Sequence, residues 1–287
     1  MMQNLLDAVT NNEHMKIEIL DKNNNLVISV VTPFVLRVHE KLRQSSEVCT
    51  CSLCNIQRVN YFLKCICPNV FQIVFMNSKG PYDRLGCKIF SLWTNSFVGP
   101  LPLGVIVTTL DTAEAITKGL QMILELVPEA SFGGRGKKGP SLFMIKEKNE
   151  AIRIALLNVL PATRLLFCQS HIVNGLRNLT TRREFGALAS HQSYLLDLFK
   201  SLVYENEEEI FHKKVTEILN DEIGFFYPEF RDYLLGVLKT QMNWASCYRT
   251  DLITRGHDTI AAFHMPSLKV SGITYTMNLR NTKMWSE

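Results

Sequence analysis

"GPSLFMIKEKNEAIRIALLNVLPATRLLFCQSH" (residues 139–171) decides the fold. Leu142 to Ile145 is a short apolar run bounded by turn residues, which reads as a buried strand. Residues 149–160 then place apolar side chains at helical spacing and stop at Pro161. "TRLLF" (163–167) is a second strand, and Cys168 opens another helix. Strands separated by a helix predict a parallel crossover. One residue sits oddly in this frame. The carboxyl end of a strand in an α/β protein commonly carries the chemistry, and here it presents Lys146 first.

Upstream, "IVFM" (73–76), "CKIFSLW" (87–93) and "LGVIVTT" (103–109) are strands joined by turn-rich links, which predict an antiparallel meander. "LDTAEAITKGLQMILELV" follows as a helix. Asp111 or Thr112 can cap it, and Ala113, Ile116, Leu120, Ile123, Leu124 and Val127 repeat along one face. "FGGRGKKGP" (132–140) reads as a flexible basic loop. The order β-β-β-α-β-α-β-α is the ribonuclease H-like arrangement: an α/β fold on a mixed sheet. "LVISVV" (26–31) has strand composition. "TPFVLRVHEKL" (32–42) begins a helix with Thr32 as cap and Pro33 in the first turn. Beyond about residue 185 the pattern is helical. The expected organisation is a strand-helix lead-in over 1–47, a cysteine-rich insertion over 48–72, a core over 73–185, a helical region over 186–265 and an unassigned tail over 266–287.

The 287 residues are 46% apolar, enough for a real core, and carry a formal charge of +4 with pI near 8.6. That mild basicity permits an anionic partner without requiring one. The first residues lack a basic-then-apolar leader, and no apolar run approaches the ~20 residues that span a bilayer. The expectation is a nuclear or cytoplasmic protein, neither secreted nor membrane-bound, with no small-molecule substrate. Its eight cysteines then read as thiols or metal ligands rather than disulfides.

A spaced series of motifs, "GPLPLGVIVTT", "ASFGGRGKKGPSLFM", "AIRIALLNVLPATRLLFCQSH" and "YPEFRDYLLGVLKTQMNWASCYRTDLITRG", resembles the Mutator-like (MULE) transposase domain. The resemblance covers roughly residues 26–47 and 73–265. It implies a ribonuclease H-like fold with a helical insertion, and DNA transposition by two divalent ions, Mg²⁺ or Mn²⁺, held on an Asp-Asp-Glu set. Such ions need hard anionic oxygen ligands. The family's first aspartate falls on Asn77, its second on Lys146 and its glutamate on His264. An amide brings no charge, and an ammonium repels a dication. The resemblance therefore implies a decayed site with no metal cofactor for this chain. The alternatives are a Lys146 repurposed to hold a phosphate, or substitute ligands at Glu147 and Asp83. Cys168 and His171 match the family's Cys-x-x-His pair. They share a helix face, either as metal ligands or supports for the site, or as a packed cysteine and a capped histidine.

DNA is the expected partner. Arg135, Lys137 and Lys138 in the glycine-rich loop, with Arg177, Arg182 and Arg183, could touch phosphates, since such contacts need only charge and reach. The loop lacks the GKS/T ending of a P-loop. A plain solvated surface is the competing account of both patches. No N-terminal DNA-reading domain and no zinc finger after residue 265 are visible, so a longer element protein is expected to be truncated here.

The cysteine window "VCTCSLCNIQRVNYFLKCICPNVFQ" (48–72) sits where the family has no room for it. Deleting it joins "LRQSSE" to "IVFMNSKG". Val-Cys can be encoded GTATGT and Phe-Gln TTTCAG, which resemble splice donor and acceptor sequences, so a translated intron is one reading. A zinc site on Cys51, Cys54, Cys65 and Cys67 is another, with Cys49 left over. An unspecialised insertion is the third. Three functions thus compete: an inactive transposase-derived protein, a divergent but active metal-dependent nuclease or transposase, and a zinc-binding interaction module.

Overall fold

A computed structural model of the chain describes residues 12–21, 25–44, 73–79, 86–96, 99–146, 149–252, 254, 260, 269–270 and 273–274. The window 48–72 with its cysteines, together with Asp83, Glu147 and His264, lies outside the described residues.

The meander forms as expected. Strands β1 (Met15–Ile19), β2 (Leu26–Val30), β3 (Ile73–Lys79), β4 (Lys88–Ser96) and β5 (Gly99–Thr108) precede β6 (Leu142–Ile145) and β7 (Arg164–Phe167). β3 pairs antiparallel with β4 (Asn77 opposite Ser91), and β4 with β5 (Phe90 opposite Ile106). β5 begins earlier than its apolar run suggests, because Pro100 and Pro102 belong to it. Pro102 stands opposite Trp93, where the register shifts between Leu92 and Trp93. A bulge is one of the few places in a sheet that accepts a residue with no N–H.

β2 pairs antiparallel with β5, and β1 with β2. The leading strand therefore extends the same sheet, with β1 as a further member. The ladder from Arg164 N to Ser141 O (2.9 Å) and from Cys168 N to Ile145 O (2.9 Å) advances in one direction on both chains, so β6 and β7 run parallel. The result is a seven-stranded mixed sheet of order β1-β2-β5-β4-β3-β6-β7. A separate pair of two-residue strands, Lys269–Val270 and Ile273–Thr274, falls in the stretch where the sequence shows no period.

The chain packs as two compact units: Met1–Phe143 with Asn149–Arg164 and Ala262–Glu287, and Met144–Lys148 with Leu165–Ala261. In the first, helix α1 (Pro33–Gln44), helix α2 (Ala113–Leu126) and helix α3 (Glu150–Val159) accompany the strands. Thr112 caps α2 by accepting from Ala115 N, and Asn149 caps α3 by accepting from Ile152 N. α2 buries Ala115, Ile116, Gly119, Leu120, Met122 and Ile123. Gly119 allows the close approach, since a Cβ there would stand 2.4 Å from Ile106 Cγ2. Ser29 Oγ, fully buried, donates to Gly119 O at 2.8 Å and ties β2 to the same point.

The glycine-rich loop follows a defined, partly helical path. Phe132 is buried at φ 55°, in the left-handed region that a bulky residue occupies only when its surroundings compel it. Gly136 at φ 53° passes so near Glu129 O that a Cβ would be 2.4 Å away. His39 of α1, 1% exposed, meets the Phe132 ring edge-on at 5.3 Å and places Nε2 3.1 Å from Leu103 O.

The second unit carries helix α4 (Gln169–Thr180), helix α5 (Ala189–Val203), helix α6 (Glu208–Leu219), helix α7 (Glu222–Phe226) and helix α8 (Pro228–Leu238). Its core gathers Phe199, Phe211 and Phe230 with Trp244, all essentially unexposed. Among the described residues no helix is long and apolar enough to cross a membrane.

Candidate functional site

β3 and β6 are neighbours in the sheet order. Asn77 is the fifth residue of β3, 3% exposed, within the β3–β4 ladder rather than at the strand's end. Lys146 directly follows Ile145, the last residue of β6, and is half-buried. Neither an amide nor an ammonium supplies the anionic oxygen that a divalent cation needs. No group of three or more His, Cys, Asp or Glu side chains able to hold a metal ion occurs among the described residues.

Around the end of β7 the chain builds a dense polar cluster. Cys168 is fully buried at the start of α4. His171 Nδ1 lies 2.9 Å from its Sγ, Ser170 Oγ lies 3.1 Å away, and Ile260 N donates to the same sulfur at 3.1 Å. A shared tetrahedral zinc, with bonds of about 2.3 Å to sulfur and 2.0 Å to nitrogen, would hold Sγ and Nδ1 about 3.5 Å apart. The shorter observed distance is that of a hydrogen bond. The pair sits at hydrogen-bond distance at a strand-helix junction. It also anchors Ile260, four positions before His264, to the end of β7.

Three further residues stand out only in the structure. Arg249, 5% exposed, donates from Nη2 to Phe167 O and, at 2.6 Å, to Asn243 O. Gln169 Nε2 reaches Trp244 O at 2.9 Å, Ser246 Oγ at 2.8 Å and Val203 O at 3.3 Å. With Asn243 Nδ2 on Leu165 O at 2.9 Å, these side chains satisfy carbonyls along β7 and at the end of α5. A buried carbonyl left unpaired would be costly. The sequence signal for them is unspecific: Gln169 lies inside "CQSH", and Asn243 and Arg249 inside "QMNWASCYR".

The basic candidates separate by what they touch. Arg135 is committed to the loop, donating from Nε to Gly139 O at 2.8 Å and from Nη2 to Ala162 O at 3.3 Å. Lys137 and Lys138 are exposed. Arg177 is exposed, with Nη1 on Asn174 Oδ1 at 3.0 Å, and Arg182 and Arg183 are exposed at the end of α4.

No family model and no curated protein sequence matches the chain.

Proposed function

We propose that this chain is a Mutator-like transposase-derived protein with a ribonuclease H-like core. In this reading it has lost metal-dependent DNA cleavage and joining, and keeps the capacity to bind DNA. The observation that carries the reading is the strand order. Numbering β3 to β7 as one to five, the sheet runs three-two-one-four-five, with an antiparallel meander followed by parallel strands. That arrangement sets the first core strand beside the fourth, the strands that bear Asn77 and lead into Lys146.

Inactivity follows from electrostatics. Two-metal catalysis holds dications against the negative charge that develops in the transition state. Replacing two aspartates by Asn77 and Lys146 removes two negative charges and adds a positive one, so ion occupancy falls before chemistry begins. Lys137 and Lys138 need no metal to meet phosphates. The rival nuclease and zinc-module readings rest on Asp83, Glu147 and the 48–72 cysteines, which lie outside the described residues.

A repair series tests the proposal: Asn77→Asp, Lys146→Asp and His264→Glu, singly and together, with Mg²⁺ or Mn²⁺ and a nicked or terminal-repeat DNA. The expected result is no cleavage by the unchanged chain and activity only in the triple variant. Appreciable metal-dependent cleavage by the unchanged chain would sink the idea.

A further inference from the structure

The helical region has a charge of its own. Residues 186–252 hold six Lys and Arg against eleven Asp and Glu, although the whole chain is net positive. At one place this acidic surface carries two uncovered aromatic rings. α7 turns Gly224 inward, where a Cβ would stand 3.2 Å from Phe230, and leaves Phe225 and Phe226 outward, 71% and 78% exposed.

The rings stand on a fixed base. The next residue, Tyr227, is buried, stacked on Phe185 with centroids 4.9 Å apart, and its hydroxyl lies 2.9 Å from His191 Nδ1. Asp221 pins the start of α7, accepting from Gly224 N at 2.7 Å and from Tyr194 Oη at 2.5 Å. Exposed aromatic side chains on rigid backbone are the usual energetic centres of protein interfaces. The charge around this base is net negative: exposed Glu184, Glu222, Glu229 and Asp232 with Asp221 stand against Arg182 and Arg183, which precede Phe185, and Arg231, whose guanidinium is 5.8 Å from the Phe225 ring centre.

We infer that Phe225 and Phe226 form a docking surface for a cationic, amphipathic segment of another protein, whose apolar side chains cover the rings while its lysines or arginines meet Glu222 and Glu229. Charge selects the occupant. A nucleic acid, whose aromatic stacking partners ordinarily sit in a basic groove, would meet repulsion here. This inference goes beyond the transposase reading and does not depend on it, since the repair series leaves all of these residues unchanged.

The experiment uses the full chain and a labelled synthetic helical peptide built of leucine and lysine, with binding followed by fluorescence anisotropy at low and high salt. Phe225→Ser with Phe226→Ser is expected to weaken binding about tenfold or more. Glu222→Lys with Glu229→Lys is expected to weaken it several-fold and to flatten its salt dependence. The charge pair keeps the test decisive if the double Phe variant fails to fold. Unchanged affinity in the charge-reversed variant overturns the inference. So does equal binding of a leucine-glutamate peptide, or direct binding of labelled single-stranded DNA to the chain that is lost in the double Phe variant. Self-association that disappears with the phenylalanines would assign the surface to a second copy of this chain and would also overturn it.

Discussion

Gln169 shows how one side chain holds a junction together. Its amide reaches Trp244 O, Ser246 Oγ and Val203 O from a site 2% exposed. Gln169→Leu keeps the volume and strands those acceptors. The expected cost is about 1–3 kcal/mol, read as a lower urea midpoint, and an unchanged midpoint would mean that the carbonyls find other partners. His39 makes a pH prediction. Burial lowers its pKa from the ordinary 6.5, opposed by the bond to Leu103 O. A folded-state pKa below the unfolded one means that the unfolded chain binds the proton more readily. Its contribution is therefore complete above about pH 6.5 and is lost as pH falls from there through the lowered folded value. Denaturation midpoints should drop between about pH 7.5 and about pH 5.5. In His39→Gln, which can still donate to Leu103 O, that part of the drop should vanish. Carboxylates with lowered pKa, such as Glu125 and Glu205, act only below about pH 4.5 and do not overlap it.

At the scale of elements, the packing of α2 on the sheet turns on Gly119. Alanine there gains about 1 kcal/mol of helix propensity, yet its Cβ would meet Ile106 at 2.4 Å in a fully buried position. Overpacking of this kind costs about 1–3 kcal/mol, so Gly119→Ala should destabilise. Placing Gly119→Ala on an Ile106→Ala background should remove most of that penalty, and a double-mutant cycle measures the coupling. Additive effects would show that the helix shifts instead of clashing. The glycine-rich loop gives a parallel case. Arg135→Ala should lower stability by about 1–2 kcal/mol by releasing Gly139 O and Ala162 O, an effect visible in thermal melts without any DNA.

Across the whole molecule, charge is divided rather than spread. With six basic and eleven acidic residues in 186–252, the remainder of the chain holds 25 Lys and Arg against 16 Asp and Glu. DNA binding under the proposed function therefore belongs to the remainder. Lys137→Ala with Lys138→Ala should leave the melting temperature near that of the unchanged chain. It should also reduce the slope of log affinity against log salt by about 0.9 for each phosphate that the variant no longer neutralises. An identical slope would remove these lysines from the interface.

Amino-acid order was enough to locate β3, β4, β6, β7 and the helices that follow them, because apolar runs bounded by turn residues and cap residues act locally. Thr112 and Asn149 cap the helices that they precede. Order also marked Asn77 and Lys146, but only through resemblance, since a missing charge has no local signature. It did not show that β1 and β2 join the same sheet beside β5, because pairing across some 80 residues leaves no local pattern. Nor did it show that prolines 100 and 102 lie in a strand, next to the point where β5 carries Leu103 as an extra residue against β4. Tertiary structure alone decided that Arg135 is a loop brace, and that Arg249 and Gln169 serve β7 and the end of α5 from far along the chain. It also brought Cys168 and His171 to hydrogen-bond distance. Each of these depends on which buried carbonyl or sulfur a side chain meets, and that meeting exists only once the core has closed.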